Sequence, residues 1–305
     1  MAERQPAERA GEPESGLLRV GLLQTAPVFG RVDDNLADVV KLHDGLGPAD
    51  LSFAAELSAT GYGFSPFGPS SMLAADDPRL TALASRGVGI GFAEPHPAGL
   101  PWNSYLFTDP VTGTRSLQHK LHPVSYAPWN EHLLFRPGDT LRTAAVDGTT
   151  IATMICNDLW HPAVPWLASR AGAEVLVIPV ASVESDDPDR IKRTWRLLLE
   201  HTAVLLQCYV VFINRAGTDG GRRFWGGSRV LGPDGGVLAF LGDEPGSAVA
   251  DLDLTALRRL RAEVPLLTEA RTDFVAAALS GGYFPAEVTV PGAAAASPAV
   301  PGPAP

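Results

Sequence analysis

The sequence predicts an α/β domain in which sheets and helices are layered together, and three observations predict it. Short apolar runs of strand length alternate along the chain with stretches whose apolar residues recur at helical spacing. The 305 residues are 45% hydrophobic and 19% charged, enough for a substantial core. No internal repeat or strong linker divides the chain. The expected organisation is therefore a single domain over residues 17–290. It is flanked by a polar Glu/Pro/Ala-rich tail at 1–16 and a Pro/Ala/Gly low-complexity tail at 291–305, both of a composition that cannot bury a core.

The elements follow in order. Leu18–Gln24 reads as a buried strand, and Asn35 as the cap of a helix with Leu36, Val39 and Val40 on its apolar face. A strand at Asp50–Ala55 ends at Glu56, with a turn at Gly61-Tyr62-Gly63. A helix near Pro78–Ser85 precedes a strand at Gly87–Phe92. Asn103–Thr108 and Thr114–Lys120 read as a hairpin. Strands at Thr149–Cys156 and Glu174–Val180 flank a helix at Ala163–Ala171 that stops at Gly172. Asp189 is placed as the cap of a helix to about Thr202, with Ile191, Trp195, Leu198 and Leu199 on one face. Tyr209–Asn214, Ser228–Leu231 and Gly236–Phe240 complete the strands, the last two joined by a Pro233-Asp234-Gly235-Gly236 turn.

Composition narrows the function. A net charge of −10 without a Lys/Arg block argues against nucleic acid or an anionic membrane surface as partner. No apolar run approaches the ~20 residues of a membrane span, and the N-terminus lacks a signal-peptide core. Two cysteines, Cys156 and Cys208, make no disulfide framework, which points to a cytoplasmic location. The seven histidines include His119 and His122, yet no set has zinc spacing, so no metal and no cofactor are expected. Gly87-Val88-Gly89-Ile90-Gly91 superficially resembles a dinucleotide loop but lies within a strand and lacks a glycine-led helix after it. Asp158 reads as a helix N-cap, Trp195 and Arg193 as helix packing and surface charge, and Cys208 as inert core.

The chemistry concentrates at three strand ends, which carry Glu56, Lys120 and Cys156. In Ile155-Cys156-Asn157-Asp158-Leu159-Trp160-His161-Pro162 a thiol closes an apolar strand just before a helix start. Backbone N–H groups and a helix N-terminus there would lower its pKa and bind an oxyanion. A carboxylate, an ammonium and a thiol together suit attack on the carbon of a C–N bond. Taken singly, each has a plainer reading: a lone strand cysteine is more often core, and a strand-end glutamate or lysine more often solvated. Spacing alone does not show that the three meet.

An ordered set of motifs resembles the nitrilase, or carbon–nitrogen hydrolase, superfamily over about residues 17–275. The opening strand and loop are followed by Ala55-Glu56-Leu57-Ser58-Ala59-Thr60-Gly61-Tyr62, His119-Lys120-Leu121-His122-Pro123 and Ile155-Cys156-Asn157-Asp158. Gly172-Ala173-Glu174-Val175-Leu176 with Pro179, then Asn214-Arg215-Ala216-Gly217, then Gly227-Ser228 with Pro233-Asp234-Gly235 fit the later landmarks. The resemblance implies an α-β-β-α sandwich. It also implies a Cys156 nucleophile, Glu56 as general base and acid, Lys120 as oxyanion donor and Glu131 as a supporting carboxylate beside the lysine. The Asn157 N–H would serve the oxyanion while its side chain borders the substrate. Ala55 replaces a common proline, and Asn157-Asp158 does not match the Trp-Glu pair of the nitrile-cleaving branch. The Lys120-to-Phe135 stretch looks most like the glutaminase domain of glutamine-dependent NAD synthetases.

The implied activity is hydrolysis of a small linear amide through a cysteine thioester. The alternatives are a carbamoyl-amide hydrolase, a nitrilase, an amide acyltransferase and a catalytically silent scaffold relative. The implied partners are the amide substrate and a second copy of the chain in a homodimer or higher homo-oligomer, with the helices at Ala163–Ala171 and Asp189–Thr202 as candidate interface.

Overall fold

The computed structural model describes residues 16–127 and 129–280. The tails expected at 1–16, apart from Gly16, and at 291–305 lie outside the described residues. The chain divides into two compact units after Val264.

In chain order the first unit contains β1 (Leu17–Gln24), α1 (Val32–Gly45), β2 (Leu51–Ala54), α2 (Pro78–Ala84), β3 (Val88–His96), β4 (Gly99–Thr108), β5 (Arg115–His119), β6 (Thr143–Val146) and β7 (Thr149–Thr153). After these come α3 (Ala163–Arg170), β8 (Val175–Val180), α4 (Pro188–Leu205), β9 (Tyr209–Asn214), β10 (Ala216–Asp219), β11 (Arg222–Trp225), β12 (Arg229–Leu231), β13 (Val237–Phe240), β14 (Gly246–Asp253) and α5 (Leu254–Glu263). The second unit holds α6 (Thr272–Ser280).

Two six-stranded sheets run in the orders β14-β1-β2-β3-β4-β5 and β13-β12-β9-β8-β7-β6, with β10 and β11 as a separate hairpin. The central strands β1–β2–β3 and β7–β8–β9 are parallel, and antiparallel strands close the edges. Every residue of β8 and β9 is buried, which explains their unbroken apolar character: both faces of a parallel strand are covered. Between the sheets lies one core, in which Val20, Leu22 and Phe53 meet Val175, Val211 and Ile213. On the outer face of the first sheet, Leu36, Val39, Leu80 and Leu83 of α1 and α2 pack on Val88, Ile90 and Phe92. On the second, Trp195 of α4 lies against Phe212. The layer order is the expected α-β-β-α sandwich.

Several local expectations needed correction. Helix α1 begins at Val32, and Asn35 is buried within it, where its side chain bonds both the N–H and C=O of Val28 and the C=O of Ala59. Helix α4 is capped by Asp187, which accepts from the Arg190 N–H, so Asp189 lies in the first turn. Strands β6, β10, β11 and β14 and helix α5 carried too short a pattern to be read alone. β14 forms only by pairing antiparallel with β1 along its full length.

Of the Gly87-to-Gly91 run, Val88 to Gly91 lie in strand β3 and Gly87 in the turn before it, and the strand glycines serve packing. A Cβ on Gly89 would lie 2.6 Å from the Phe53 ring, and one on Gly91 would lie 2.4 Å from the Leu57 nitrogen and 2.8 Å from the Ala55 oxygen. β3 thus passes against the backbone that carries Glu56. Gly91→Ala is expected to lower stability by about 1–3 kcal/mol by overpacking this contact and to reduce activity beyond the stability loss, because the carboxylate moves with the backbone. Urea unfolding alongside kcat checks both.

Candidate active site

The three strand-end residues meet. Glu56 follows β2, Lys120 follows β5, and Cys156 opens a short 3-10 turn (Cys156–Trp160) three residues beyond the end of β7. The Lys120 ammonium is fully buried, 2.7 Å from Glu56 Oε1, 2.9 Å from Glu131 Oε1 and 2.7 Å from Glu131 Oε2. Burial by itself would push this ammonium towards neutrality. The Glu131 and Glu56 carboxylates outweigh it and hold the Lys120 pKa well above its ordinary value.

The two carboxylates differ in what they have left to offer. Glu131 is saturated: Oε1 also accepts from the Tyr62 hydroxyl and Oε2 from the Val124 N–H at 2.8 Å. Burial, then the Glu131 and Glu56 charges, raise the Tyr62 pKa well above normal, so its hydroxyl keeps the proton it donates. Glu56 Oε1 accepts from Lys120 and from Asn103 Nδ2 at 2.7 Å, whereas Oε2 is buried without a partner. Burial raises the Glu56 pKa, opposed by Lys120. One oxygen held by a cation and an amide, and the other free, is the arrangement of a proton acceptor.

Cys156 is half-buried, with a left-handed φ of 50°. The low pKa expected from a helix N-terminus is not found: burial first, then Glu56, pushes the thiol well above its ordinary value, with Lys120 and the Ala181 N–H working against the rise. The turn is too short to supply a helix field, and the nearer carboxylates dominate. The thiol rests protonated, so activation depends on proton transfer within the site.

Asp158 is also reassigned. It is not the N-cap. Its carboxylate, 0% exposed, accepts from the Ile155 N–H at 3.0 Å and reaches across to the Leu121 and His122 N–H groups at 3.3 and 2.8 Å. Asn157 Nδ2 adds a bond of 3.0 Å to the His122 carbonyl. The cysteine turn and the lysine segment are therefore tethered twice. His122 further contacts Asp158 at 3.2 Å and stacks on His161, while His119 pairs with Glu94 at 3.1 Å and stacks on Trp102.

A cavity of about 70 Å³ opens beside Cys156, Asn157 and Glu131. Tyr62, Trp129, Ser182 and Trp195 are among its lining. Trp195 was expected only to pack; it packs and also borders the cavity, its Nε1 donating to Ser182 Oγ at 3.2 Å. Arg193 is exposed as expected, and Cys208 is buried, its thiol pushed up to about 12 by burial, with Arg261 opposing. Tyr62, Asn103, Ala181 and Ser182 escaped the sequence reading as site residues. Only Tyr62 carried a signal, as the end of the glutamate motif; the others become polar groups of the site through strand pairing.

A buried ammonium between two carboxylates, with a partly exposed cysteine at the rim of a cavity, is a set of groups chemically suited to acyl transfer through a thiol. The carbon-nitrogen hydrolase family model matches residues 19–262, and the chain belongs to that family. Human deaminated glutathione amidase is 32% identical over 139 residues, covering 45% of this chain and 41% of that protein; the chain thus aligns with under half the length of this relative. A Pseudomonas (R)-stereoselective amidase is 29% identical over 195 residues, 63% of this chain and 67% of that protein. A CN-hydrolase superfamily structure from Xanthomonas campestris superposes with a TM-score of 0.72 at 21% identity, covering 84% of this chain and 98% of its own. The glutamine-dependent NAD+ synthetase of Acinetobacter baumannii shares the fold over 79% of this chain and 46% of its own, with a TM-score of 0.66 at 20% identity. Among the described residues, no helix is long and apolar enough to cross a membrane.

Asp158→Asn keeps the shape of the tether and weakens its acceptance from three backbone N–H groups. It is expected to cost about 1–3 kcal/mol of stability and to lower kcat more than about tenfold with KM little changed, through misplacement of Cys156 against Lys120. Wild-type kcat in the folded variant would show the tether to be dispensable.

Proposed function

We propose that the protein hydrolyses the C–N bond of a linear amide through a Cys156 thioester. The observation that carries this reading is the division of labour between the carboxylates: Glu131 has no oxygen free, while Glu56 Oε2 is buried and open. In the first half-reaction Glu56 Oε2 takes the Cys156 proton as the sulfur attacks the amide carbon. Lys120 Nζ and the Asn157 N–H stabilise the resulting oxyanion; an ammonium hydrogen shared between the two Glu131 oxygens leaves another for the substrate. Collapse breaks the C–N bond as Glu56 hands the proton to the leaving ammonia or amine. In the second half-reaction Glu56 takes a proton from water, the hydroxide adds to the thioester carbon, and the C–S bond breaks to release the acid as Glu56 returns the proton to the Cys156 sulfur.

The amidase names of the human and Pseudomonas relatives support amide over nitrile chemistry, as does Asn157-Asp158 after the cysteine. A silent scaffold fits poorly with a fully buried, charged lysine that does no chemistry, because such a group costs more than an apolar replacement. We further propose that two copies pair across α3 and α4, where Leu167, Leu197 and Leu205 are about half exposed; size-exclusion chromatography with light scattering reads the mass.

Intact-protein mass spectrometry during turnover of small amides is expected to show a Cys156 acyl adduct together with ammonia, both lost in folded Cys156→Ala. Turnover by that variant would end the thioester proposal. The acid limb of kcat/KM should lie above the ordinary carboxylate range, because burial raises Glu56 and activity falls as pH drops through its pKa. Glu56→Gln should lower kcat by about 10²–10⁴ while making Cys156 more reactive to iodoacetamide at pH 7. Removing that negative charge leaves Lys120 to stabilise the thiolate, so the thiol pKa falls. Slower alkylation in this variant would contradict the assigned electrostatics.

A further inference from the structure

The cavity beside Cys156 has a definite chemical character. Tyr62, Tyr126, Trp129, Trp160 and Trp195 present five aromatic rings to it, and Ile191 closes one side from the first turn of α4. Among the described residues that line it there is no lysine, arginine or histidine. The single charged side chain in the lining is Glu131, and each of its oxygens is already engaged.

Behind the lining, one Lys120 ammonium faces two carboxylates, so the resting cluster carries an excess of one negative charge. The other polar side chains of the lining, on Tyr62, Tyr126, Asn157 and Ser182, are neutral, and Ser182 is the most heavily engaged of them. Its backbone N–H donates to Asn214 Oδ1 at 2.9 Å, and its hydroxyl oxygen accepts from the indoles of Trp195 at 3.2 Å and Trp225 at 3.0 Å. With both lone pairs used, this hydroxyl is left as a single neutral donor.

We propose that the acyl subsite of this enzyme accepts an uncharged, apolar acyl group and rejects acyl chains that end in a carboxylate. The proposal rests on the amide-hydrolase reading above and adds the substrate class. A carboxylate entering the cavity would lose its hydration, meet Glu131 at close range and find neutral donors in place of a cation; a buried charge without a partner is strongly disfavoured. An ammonium would also lose hydration, with the Glu131 and Ser182 oxygens already engaged by other donors, and only the aromatic faces and the surrounding negative charge offset that loss, so it is the nearer rival to a neutral group. The aromatic walls instead match apolar surface.

The test measures ammonia release by the full-length protein from three amides of matched shape: 4-methylpentanamide (neutral), succinamate (anionic) and 4-aminobutanamide (cationic). The expected result is a kcat/KM at least tenfold higher for 4-methylpentanamide than for either charged amide. Equal or faster turnover of succinamate or 4-aminobutanamide, with a Cys156 adduct formed, would overturn the substrate class and leave the amide-hydrolase reading standing. No ammonia and no Cys156 adduct from any of the three, nor from acetamide or glutamine, would overturn both. Ile191→Lys places an ammonium at the edge of the cavity and is expected to shift the ratio towards succinamate at least tenfold. An unchanged ratio in a variant with a wild-type circular dichroism spectrum would overturn charge as the discriminating feature.

Discussion

The Lys120 ammonium between Glu56 and Glu131 is the interaction on which the rest of the site depends. The three members of the cluster come from separate parts of the chain: Glu56 from the end of β2, Lys120 from the end of β5, and Glu131 from a 3-10 turn (Glu131–Leu133) in the β5–β6 connection. Each is nearly inaccessible to water. A buried ion cluster of this kind adds little net stability, yet removing one member leaves a charge unpaired at a cost of about 3–5 kcal/mol. The cluster therefore specifies one arrangement of three segments rather than strengthening the fold, and the outer groups serve it. Tyr62 and the Val124 N–H hold Glu131, and Asn103 holds Glu56.

Backbone strain gathers at the same place. Among the described residues, the non-glycine positions with positive φ are Leu57, Asn130, Asp147, Cys156 and Gln207. Leu57 follows Glu56, Asn130 precedes Glu131, and Cys156 is the proposed nucleophile itself. A left-handed non-glycine residue costs about 1–2 kcal/mol, and such costs persist where surrounding structure over-determines the conformation. The packing of β3 beneath the Glu56 turn and the Asp158 tether beneath the cysteine turn provide that determination. Each strained turn aims a side chain out of a sheet end instead of continuing the strand.

The electrostatics give the site its logic. Lys120 stays charged because two carboxylates offset its desolvation, and the thiol stays protonated because burial, and then the same carboxylates, oppose a third negative charge. In the mechanism proposed above, a resting thiol beside a base with one free oxygen keeps the nucleophile quiet until a substrate carbonyl approaches Lys120. The excess negative charge that enforces this also bears on the substrate, since an anionic acyl group would meet it again.

Much of this was legible in the sequence. The alternation of apolar runs and helical patterns gave the layered α/β fold, because buried parallel strands must be apolar on both faces. The motifs around Glu56, Lys120, Glu131 and Cys156 pointed to one chemistry, because nucleophile, base and oxyanion donor need distinct residue types. Edge strands such as β14 were not legible: their pattern is weak alone and they form by pairing with a distant partner. Nor were the roles of Asp158, Asn103 and Ser182, which are ordinary polar residues until the fold brings their partners to 3.3, 2.7 and 3.2 Å. The raised thiol pKa also lay beyond the sequence, because it depends on burial and on charges that are 100 and 25 positions away along the chain and adjacent only in the fold. Residue types and their order determined which reaction this protein is equipped for. Tertiary structure alone decided which oxygen is free, which charge is unpaired and what the cavity admits, because those properties belong to groups that meet only when both sheets close on each other.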